Sequence, residues 1–186
     1  GVFSFAGRTF SSGTYTIPAN GGFWLNNPNY TVSAASGNPT NNGLLRISPG
    51  TFNIGTAANN SMGFGNNAIV TVEGGAITAT GRFGVNAAGN NLTYTQTGGV
   101  ITVCTIGNAS STLASFDLGQ GVGPDVVMSG GSVIIRINCT GVPPRDYRNQ
   151  QGNTALGISN TVVQFGDAGS GAAKTFNAEG LLPNVV

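Results

Sequence analysis

Residues 68–80 read AIVTVEGGAITAT, and residues 92–103 read LTYTQTGGVITV. Each stretch places apolar or aromatic residues at alternate positions, interrupted by a central glycine pair. Alternation with a period of two predicts two short β-strands, each with one buried face. The glycine pair between them allows a sharp bend, because glycine adopts positive φ without a side-chain penalty. A hairpin also satisfies this local pattern.

The same unit occurs four times, and its two-residue turns are separated by 25, 24 and 32 residues. A hairpin does not explain why the unit recurs at intervals of 24 to 32 residues, whereas one coil of a parallel β-solenoid has about this number of residues. Of the sixteen alternating positions beside the turns, fifteen are apolar or aromatic, and Gln96 is the exception. The turns are Pro49-Gly50, Gly74-Gly75, Gly98-Gly99 and Gly130-Gly131. The predicted structural core comprises Leu45, Ile47, Phe52, Ile54, Val70, Val72, Ile77, Ile101, Val103, Val126, Val133 and Ile135.

This periodicity predicts an all-β fold, a right-handed parallel β-helix (β-solenoid) of about seven or eight coils of ~24 residues. No capping pattern or 3.6-residue periodicity indicates a helix. We expect residues 1–186 to form a single β-solenoid domain with a loop insertion at residues 141–153. Because the sequence starts at Gly1 rather than at a methionine, and neither end carries a polar cap, we expect a segment of a longer repetitive chain.

Only 13 of the 186 residues are charged, 7 basic and 6 acidic, which leaves a net charge of +1. In a solenoid each residue stacks on its counterpart in the next coil, and like charges stacked in this way repel, so the fold itself explains the low charge. The net charge provides no basic surface for nucleic acid. There is no histidine to act as a base or metal ligand. No apolar run is long enough for membrane insertion, and we expect no cofactor.

The run 44–54, the repeats 68–80 and 92–103, and the closing residues 176–186 (FNAEGLLPNVV) carry a family resemblance. They resemble the β-strand-repeat regions of giant bacterial cell-surface proteins, such as autotransporter-like and gliding-type adhesins. The closing segment resembles joints in very large surface proteins of the Bacteroidota. The resemblance implies export, an extracellular location at the cell surface, and a role as stalk, adhesin or filament that contacts itself or flanking repeats. It transfers no catalytic residue to this chain.

A carbohydrate-binding or polysaccharide-degrading β-helix is the alternative function, with glycans as partners. Degrading sites need clustered carboxylates, or a carboxylate-bound metal. No two acids of this chain recur at the same coil position, so we expect no catalysis. Trp24, Tyr30 and Phe23 could stack on sugars, but a core or capping cluster at the first coil is the simpler explanation. The acids are Glu73, Asp117, Asp125, Asp146, Asp167 and Glu179.

Residues 141–153 interrupt the repeat and contain three of the thirteen charges. A solvated loop explains this composition. The functional alternative is a lateral-contact or ligand-binding loop, in which Arg145, Asp146, Tyr147 and Arg148 would engage carboxylates or sugars.

Cys104 and Cys139 are the only cysteines. Their positions relative to the glycine turns predict that Cys104 points outward and Cys139 inward, at offsets that differ by about 10 Å along a strand. A disulfide between them requires the stretch 136–139 to bend, and an exported location favours it. The sequence leaves the pairing open.

Overall fold

The computed structural model describes residues 8–34, 37–121, 126–151 and 160–186. These residues form eighteen β-strands in two curled sheets, and they contain no helix. Every strand pair among them is parallel, and strands on either side of a glycine turn do not pair with each other. The all-β prediction is therefore confirmed and the hairpin is excluded. The arrangement is consistent with the β-helix or solenoid-like class.

The larger sheet has eleven strands and contains two ladders that meet at the glycine turns. The first ladder comprises β3 (Gly22–Leu25), β6 (Leu44–Ile47), β9 (Ala68–Val72) and the beginnings of β12 (Leu92–Val103) and β14 (Val126–Ile135). The second ladder comprises β1 (Arg8–Ser12), β4 (Tyr30–Ala34), β7 (Thr51–Ile54), β10 (Ala76–Ala79), the ends of β12 and β14, β16 (Val162–Phe165) and β18 (Asn184–Val185).

The smaller sheet has seven short strands and closes the core from the other side. Its inward-facing rings stack, with centroids 6.3 Å apart for Phe83 and Phe116 and 5.8 Å apart for Phe116 and Tyr147. Register pairing places these three residues above one another in successive strands. The strands are β2 (Thr16–Ile17), β5 (Thr40–Asn41), β8 (Ser61–Phe64), β11 (Arg82–Val85), β13 (Phe116–Asp117), β15 (Tyr147–Asn149) and β17 (Ala178–Gly180).

The twelve residues of the predicted core are all buried, none with more than 1% of its surface exposed. They also stack in register: Ile77 pairs with Phe52 on one side and with Ile101 on the other. Val133 continues the same row. Each side chain therefore packs against its counterpart in the next coil, which is the arrangement that the period-two pattern predicts.

Gln96, the polar exception in the pattern, is also buried. Its Oε1 accepts a hydrogen bond from the hydroxyl group of Tyr94 at 2.8 Å, and its Nε2 donates to the carbonyl group of Ser132 at 3.2 Å. A buried amide is tolerated when both of its ends are hydrogen-bonded. The core therefore accepts Gln96 because Tyr94 beside it and β14 next to it supply the partners.

Glycine is required at the turns by conformation and by stacking. Gly75 and Gly99 have φ of 72° and 73°, in the left-handed region. A Cβ on Gly99 would lie 2.6 Å from the carbonyl oxygen of Gly74, and a Cβ on Gly75 would lie 2.5 Å from that of Gly50. Each turn therefore rests on the backbone of the preceding turn, with no space for a methyl group.

The repeat interval changes along the chain. Ile77 pairs with Ile101, and Ile101 in turn pairs with Val133, so the second interval is clearly longer than the first. Most of the additional residues lie at the corner between the second ladder and the smaller sheet. This corner has two residues after β10 (80–81) and twelve residues after β12 (104–115). Along the row from Phe10 to Val185 the successive intervals are 22, 20, 25, 24, 32, 30 and 22 residues, so the length of about 24 residues expected from the sequence is clearly exceeded only between Ile101 and Val163.

The predicted loop insertion at 141–153 contains one strand that the sequence did not indicate. Residues 147–149 form β15, which pairs with β13 on one side and with β17 on the other. These residues did not look like a strand because β15 is only three residues long and carries an arginine at its centre. Residues 152 and 153 lie outside the described residues.

Candidate functional site

The largest group of charged side chains lies on the smaller sheet, on the side away from the stacked rings. Register pairing places Gly84, Asp117, Arg148 and Glu179 in one row across β11, β13, β15 and β17. Side chains at alternate positions of a strand point to opposite faces, so this row lies behind Phe116 and Tyr147. The row alternates acid, base and acid, which avoids stacked like charges.

Asp117 and Arg148 form an ion pair that is closed to solvent, with 0% and 1% of the side chains exposed. Arg148 Nε donates to Asp117 Oδ1 at 2.9 Å, and a second guanidinium nitrogen donates to Oδ2. The same carboxylate accepts the backbone N–H groups of Ala114 and Gly119 at 2.8 and 3.0 Å. Four donors therefore surround the Asp117 carboxylate and occupy its lone pairs.

Arg82 lies beside this pair and is bound by backbone carbonyl groups. Its guanidinium group donates to Val85 at 2.8 Å and to Ala114 at 3.3 Å. Burial lowers the pKa of Arg82, and the nearby charge of Asp117 acts in the opposite direction. The cluster thus holds two arginines and one aspartate behind the smaller sheet.

Asp146 is also buried, and it pairs with backbone groups rather than with an arginine. Its two carboxylate oxygens accept the backbone N–H groups of Cys139 and Asn177. Burial raises the pKa of Asp146, although these hydrogen bonds lower it in part. Asp146 therefore ties the corner at Cys139 to the corner at Asn177, one coil further along.

The predicted contact loop at Arg145, Asp146, Tyr147 and Arg148 is therefore incorrect as a solvent-facing surface. Asp146, Tyr147 and Arg148 are buried: Tyr147 packs in the core, Arg148 pairs with Asp117, and Asp146 accepts backbone N–H groups. The Tyr147 hydroxyl group donates to the carbonyl group of Leu181 at 3.0 Å. Arg145 is the partly exposed member, and it pairs with Glu179 in the next coil. Their charges are used to join coils.

Both cysteines are buried and neither is in a disulfide. The outward position predicted for Cys104 is wrong, because the backbone turns there with a φ of 54° and places the residue in the core. Burial raises the pKa of Cys104 to about 11. The thiol group of Cys139 lies 3.3 Å from the carbonyl oxygen of Ser110. A raised pKa and burial both make Cys104 a poor nucleophile.

A second charged network lies on the outer face of the first ladder. The guanidinium group of Arg46 lies 4.5 Å from the ring centroid of Trp24 and donates to Glu73 at 2.7 and 3.1 Å. Ser48 accepts the indole N–H at 3.0 Å and donates to Glu73 at 2.6 Å. The hydrogen bonds from Arg46 and from Ser48 lower the pKa of Glu73. The network fixes the Trp24 ring against the sheet.

The two ends of the ladders are apolar. At one end a groove of about 360 Å³ is lined by Phe10, Phe23, Trp24 and Tyr30 on β1, β3 and β4. Phe23 and Phe10 lie in register with the buried residues Leu45 and Val32, so this groove is the open end of the core. At the other end the exposed large apolar residues are Leu181, Val185 and Val186. The aromatic residues noticed in the sequence thus gather in one groove.

A second groove was missed in the sequence. It is a groove of about 230 Å³ along the long corners, between the second ladder and the smaller sheet. We name it the asparagine groove, and its principal residues are Asn59, Ile106, Ile137, Asn138, Thr140 and Lys174. These residues come from four separate stretches of the chain, so no local motif could have indicated the groove.

Comparison of this chain with protein-family models, with curated protein sequences and with solved structures finds no match. The resemblance to adhesin repeats accordingly remains a prediction. Across residues 8–34, 37–121, 126–151 and 160–186, no group of three or more Cys, Asp or Glu side chains is placed to hold a metal ion. In the same described ranges, no helix is long and apolar enough to cross a membrane.

Proposed function

We propose that this chain is a structural or adhesive module of an extracellular bacterial surface fibre. In this proposal the fold is a right-handed β-helix of seven or eight coils, and the eight strands along the path from β1 to β18 support that number. Assembly occurs by stacking of coils at the ends and by lateral contacts. The partners are flanking repeats of the same chain or further copies of it.

The open ends of the two sheets carry this proposal. Among the described strands, β1 and β3 at one end, and β18 and β17 at the other, each have a partner on one side only. Unpaired N–H and C=O groups at an exposed sheet edge are a template for another strand. Because all pairing is parallel, one end of the molecule is complementary to the opposite end of a second copy, and such a contact repeats without closing.

The exposed apolar residues support the same assembly. The aromatic groove at one end and Leu181, Val185 and Val186 at the other place apolar surface where a further coil would stack. Tyrosine and tryptophan are enriched among the residues that dominate binding energy in interfaces. On the outer face of the first ladder, Leu44 and Ile69 are register partners that remain exposed, and we assign them to lateral contact.

The acidic residues support a non-enzymatic role. Every acidic side chain in the described ranges is engaged by the chain itself: Glu73, Asp117, Asp167 and Glu179 by arginines, and Asp146 by backbone N–H groups. A glycoside-cleaving pair needs two carboxylates that face the substrate and exchange protons with it. Asp125 lies outside the described residues. We therefore propose no catalytic function.

The test is the assembly state of the purified chain, measured by light scattering and negative-stain microscopy over a range of concentrations. We expect filaments whose length increases with concentration. Val185→Lys adds a charge to the edge strand β18 and should shorten them. Ile69→Lys is the matched control, since Ile69 is similarly exposed but lies in the middle of the first ladder, and it should affect only lateral bundling. A monodisperse monomer at every concentration would overturn the proposal.

A further inference from the structure

The walls of the asparagine groove are held by hydrogen bonds between corners. The backbone N–H of Asn59 donates to the carbonyl group of Gly107 at 2.8 Å, and the Asn59 Oδ1 accepts the N–H of Ala109 at 2.7 Å. On the other wall, the N–H of Thr140 donates to the carbonyl group of Asn108 at 2.8 Å. A groove whose backbone is fixed in this way is largely formed before any ligand binds, which lowers the entropy cost of binding.

The polar groups that remain at the rim are mainly donors, alongside the Oδ1 of Asn138. Because its Oδ1 is already occupied, Asn59 offers its Nδ2 group, and Asn138 has only a long contact of 3.4 Å from Nδ2 to the carbonyl group of Cys139. Lys174 contributes an ammonium group that takes part in none of the ion pairs among the described residues. No acidic side chain lines the groove. The rim is therefore complementary to a ligand that carries negative charge and hydrogen-bond acceptors.

The floor of the groove is apolar. Ile106 is half exposed, and Ile137 beside it is partly buried. An apolar floor with a few polar groups around it is the usual composition of a ligand site. The volume of about 230 Å³ is below the range of about 300–1,000 Å³ that encloses drug-sized ligands, so the groove suits one ring of a longer molecule.

We propose that the asparagine groove binds an acidic saccharide through one uronic acid unit. The C–H face of the pyranose ring packs on Ile106 and Ile137, the carboxylate pairs with Lys174, and ring hydroxyl groups accept hydrogen bonds from Asn59 and Asn138. A charge-assisted hydrogen bond to the carboxylate makes the charged ring the preferred one. The residues of this site lie at the corners beside the ladders, and Lys174 belongs to the corner that precedes the edge strand β17.

The experiment is calorimetric titration of the full chain with a mannuronate trisaccharide and with β-1,4-mannotriose, which differ only in the carboxylate. We expect the mannuronate trisaccharide to bind at least tenfold more tightly. Lys174→Gln should remove most of that preference, and Ile106→Ser should weaken both ligands. Both substitutions are at exposed positions, and circular dichroism will verify that the variants fold.

Trp24→Ala is the control, because Trp24 lies in the aromatic groove at the open end. Mannuronate binding that survives Lys174→Gln and is lost in Trp24→Ala would overturn the proposal, as would equal affinity for the two trisaccharides. If acetate, at the same concentration as the trisaccharide, displaced the trisaccharide, the groove would be a simple anion site. This result would also contradict the proposal. None of these outcomes depends on filament formation, so a failure here leaves the fibre proposal standing.

Discussion

Asp117 and Arg148 are register partners in adjacent parallel strands, and their side chains form a two-point ion pair buried behind the smaller sheet. Removing two charges from water is costly, and the pair offsets that cost only while both members are present. This relationship makes the row of Asp117, Arg148 and Glu179 a set of joints between coils. It also makes each joint sensitive to the loss of one member.

Arg148→Met should lower the free energy of unfolding by about 3–5 kcal/mol, because it leaves the Asp117 carboxylate buried without its cation. Adding Asp117→Asn should recover part of the loss by removing that charge. Arg136→Met is the control, since the Arg136–Asp167 pair is partly exposed, and it should cost no more than about 1 kcal/mol. Urea unfolding measures all three. Equal losses for Arg148→Met and Arg136→Met would contradict the assignment.

Ile101→Asp should cost about 4 kcal/mol or more, a large part of the stability of an ordinary domain, because it buries an unpaired charge in the core ladder. The neighbouring residue Val100 points outward with 41% of its surface exposed, whereas Ile101 has none exposed. Val100→Asp should therefore leave the melting temperature within a few degrees of the original. Thermal unfolding by circular dichroism compares the two. Wild-type-like stability of Ile101→Asp would show that the register is wrong.

Gly99→Ala should destabilise the chain by about 1–2 kcal/mol from the positive φ alone. The contact of its Cβ with the carbonyl oxygen of Gly74 would add to that loss. At Gly89, a Cβ would have no neighbour within 4 Å, and Gly89→Ala should be close to neutral. Chemical denaturation of both variants measures the difference. If the two substitutions cost the same, the turns are not stacked as described.

Glu73→Gln should lower stability by about 0.2–1 kcal/mol at pH 7, since the Arg46–Glu73 pair is partly exposed. The pKa of Glu73 in the folded chain lies below its unfolded value. The stabilisation is therefore present above the unfolded pKa and is lost as the pH falls through the folded pKa. Urea unfolding of both proteins at pH 7 and at acidic pH should show a difference that becomes smaller as the pH falls. If the difference in unfolding free energy increased on acidification, the pKa of Glu73 would be raised rather than lowered on folding, which would contradict the prediction.

Both thiols should resist alkylation in the folded chain and react fully after denaturation. The raised pKa of Cys104, about 11, lowers its thiolate fraction near neutral pH on the order of 100-fold relative to a pKa of 9.0. Burial slows the reaction of Cys139 as well. Thiol titration without reductant should therefore detect no reactive thiol in the folded chain and two reactive thiols in denaturant. A count of zero in denaturant would indicate that Cys104 and Cys139 are joined.

The strands beside the glycine turns could be predicted because their information is local. Each has period-two alternation, and a glycine such as Gly99 adopts the positive φ of the turn without a side-chain penalty. Gln96 could not have been assigned to a core from its own chemistry, since its partners Tyr94 and Ser132 are supplied by the fold. The prediction of buried rows was nevertheless confirmed there.

The charged residues could not be predicted for a different reason. Arg148 looks like a solvent-facing residue until Asp117, 31 residues earlier, is placed beside it in the next strand. Such a pairing depends on the lengths of the intervening corners, among them the eleven residues 136–146 between β14 and β15. The asparagine groove depends on the same corners, so a constant repeat length could not reveal it.

The unequal corners have a practical consequence. The corner lengthens from two residues after β10 to twelve residues after β12. Ile77, Ile101 and Val133 nevertheless remain in one continuous row. This position of the coil therefore accepts additional peptide while the stacked frame keeps its geometry. Foreign epitopes or short binding sequences could be mounted there at regular heights along the rod, which makes the molecule a natural starting point for display of peptides in a fixed array.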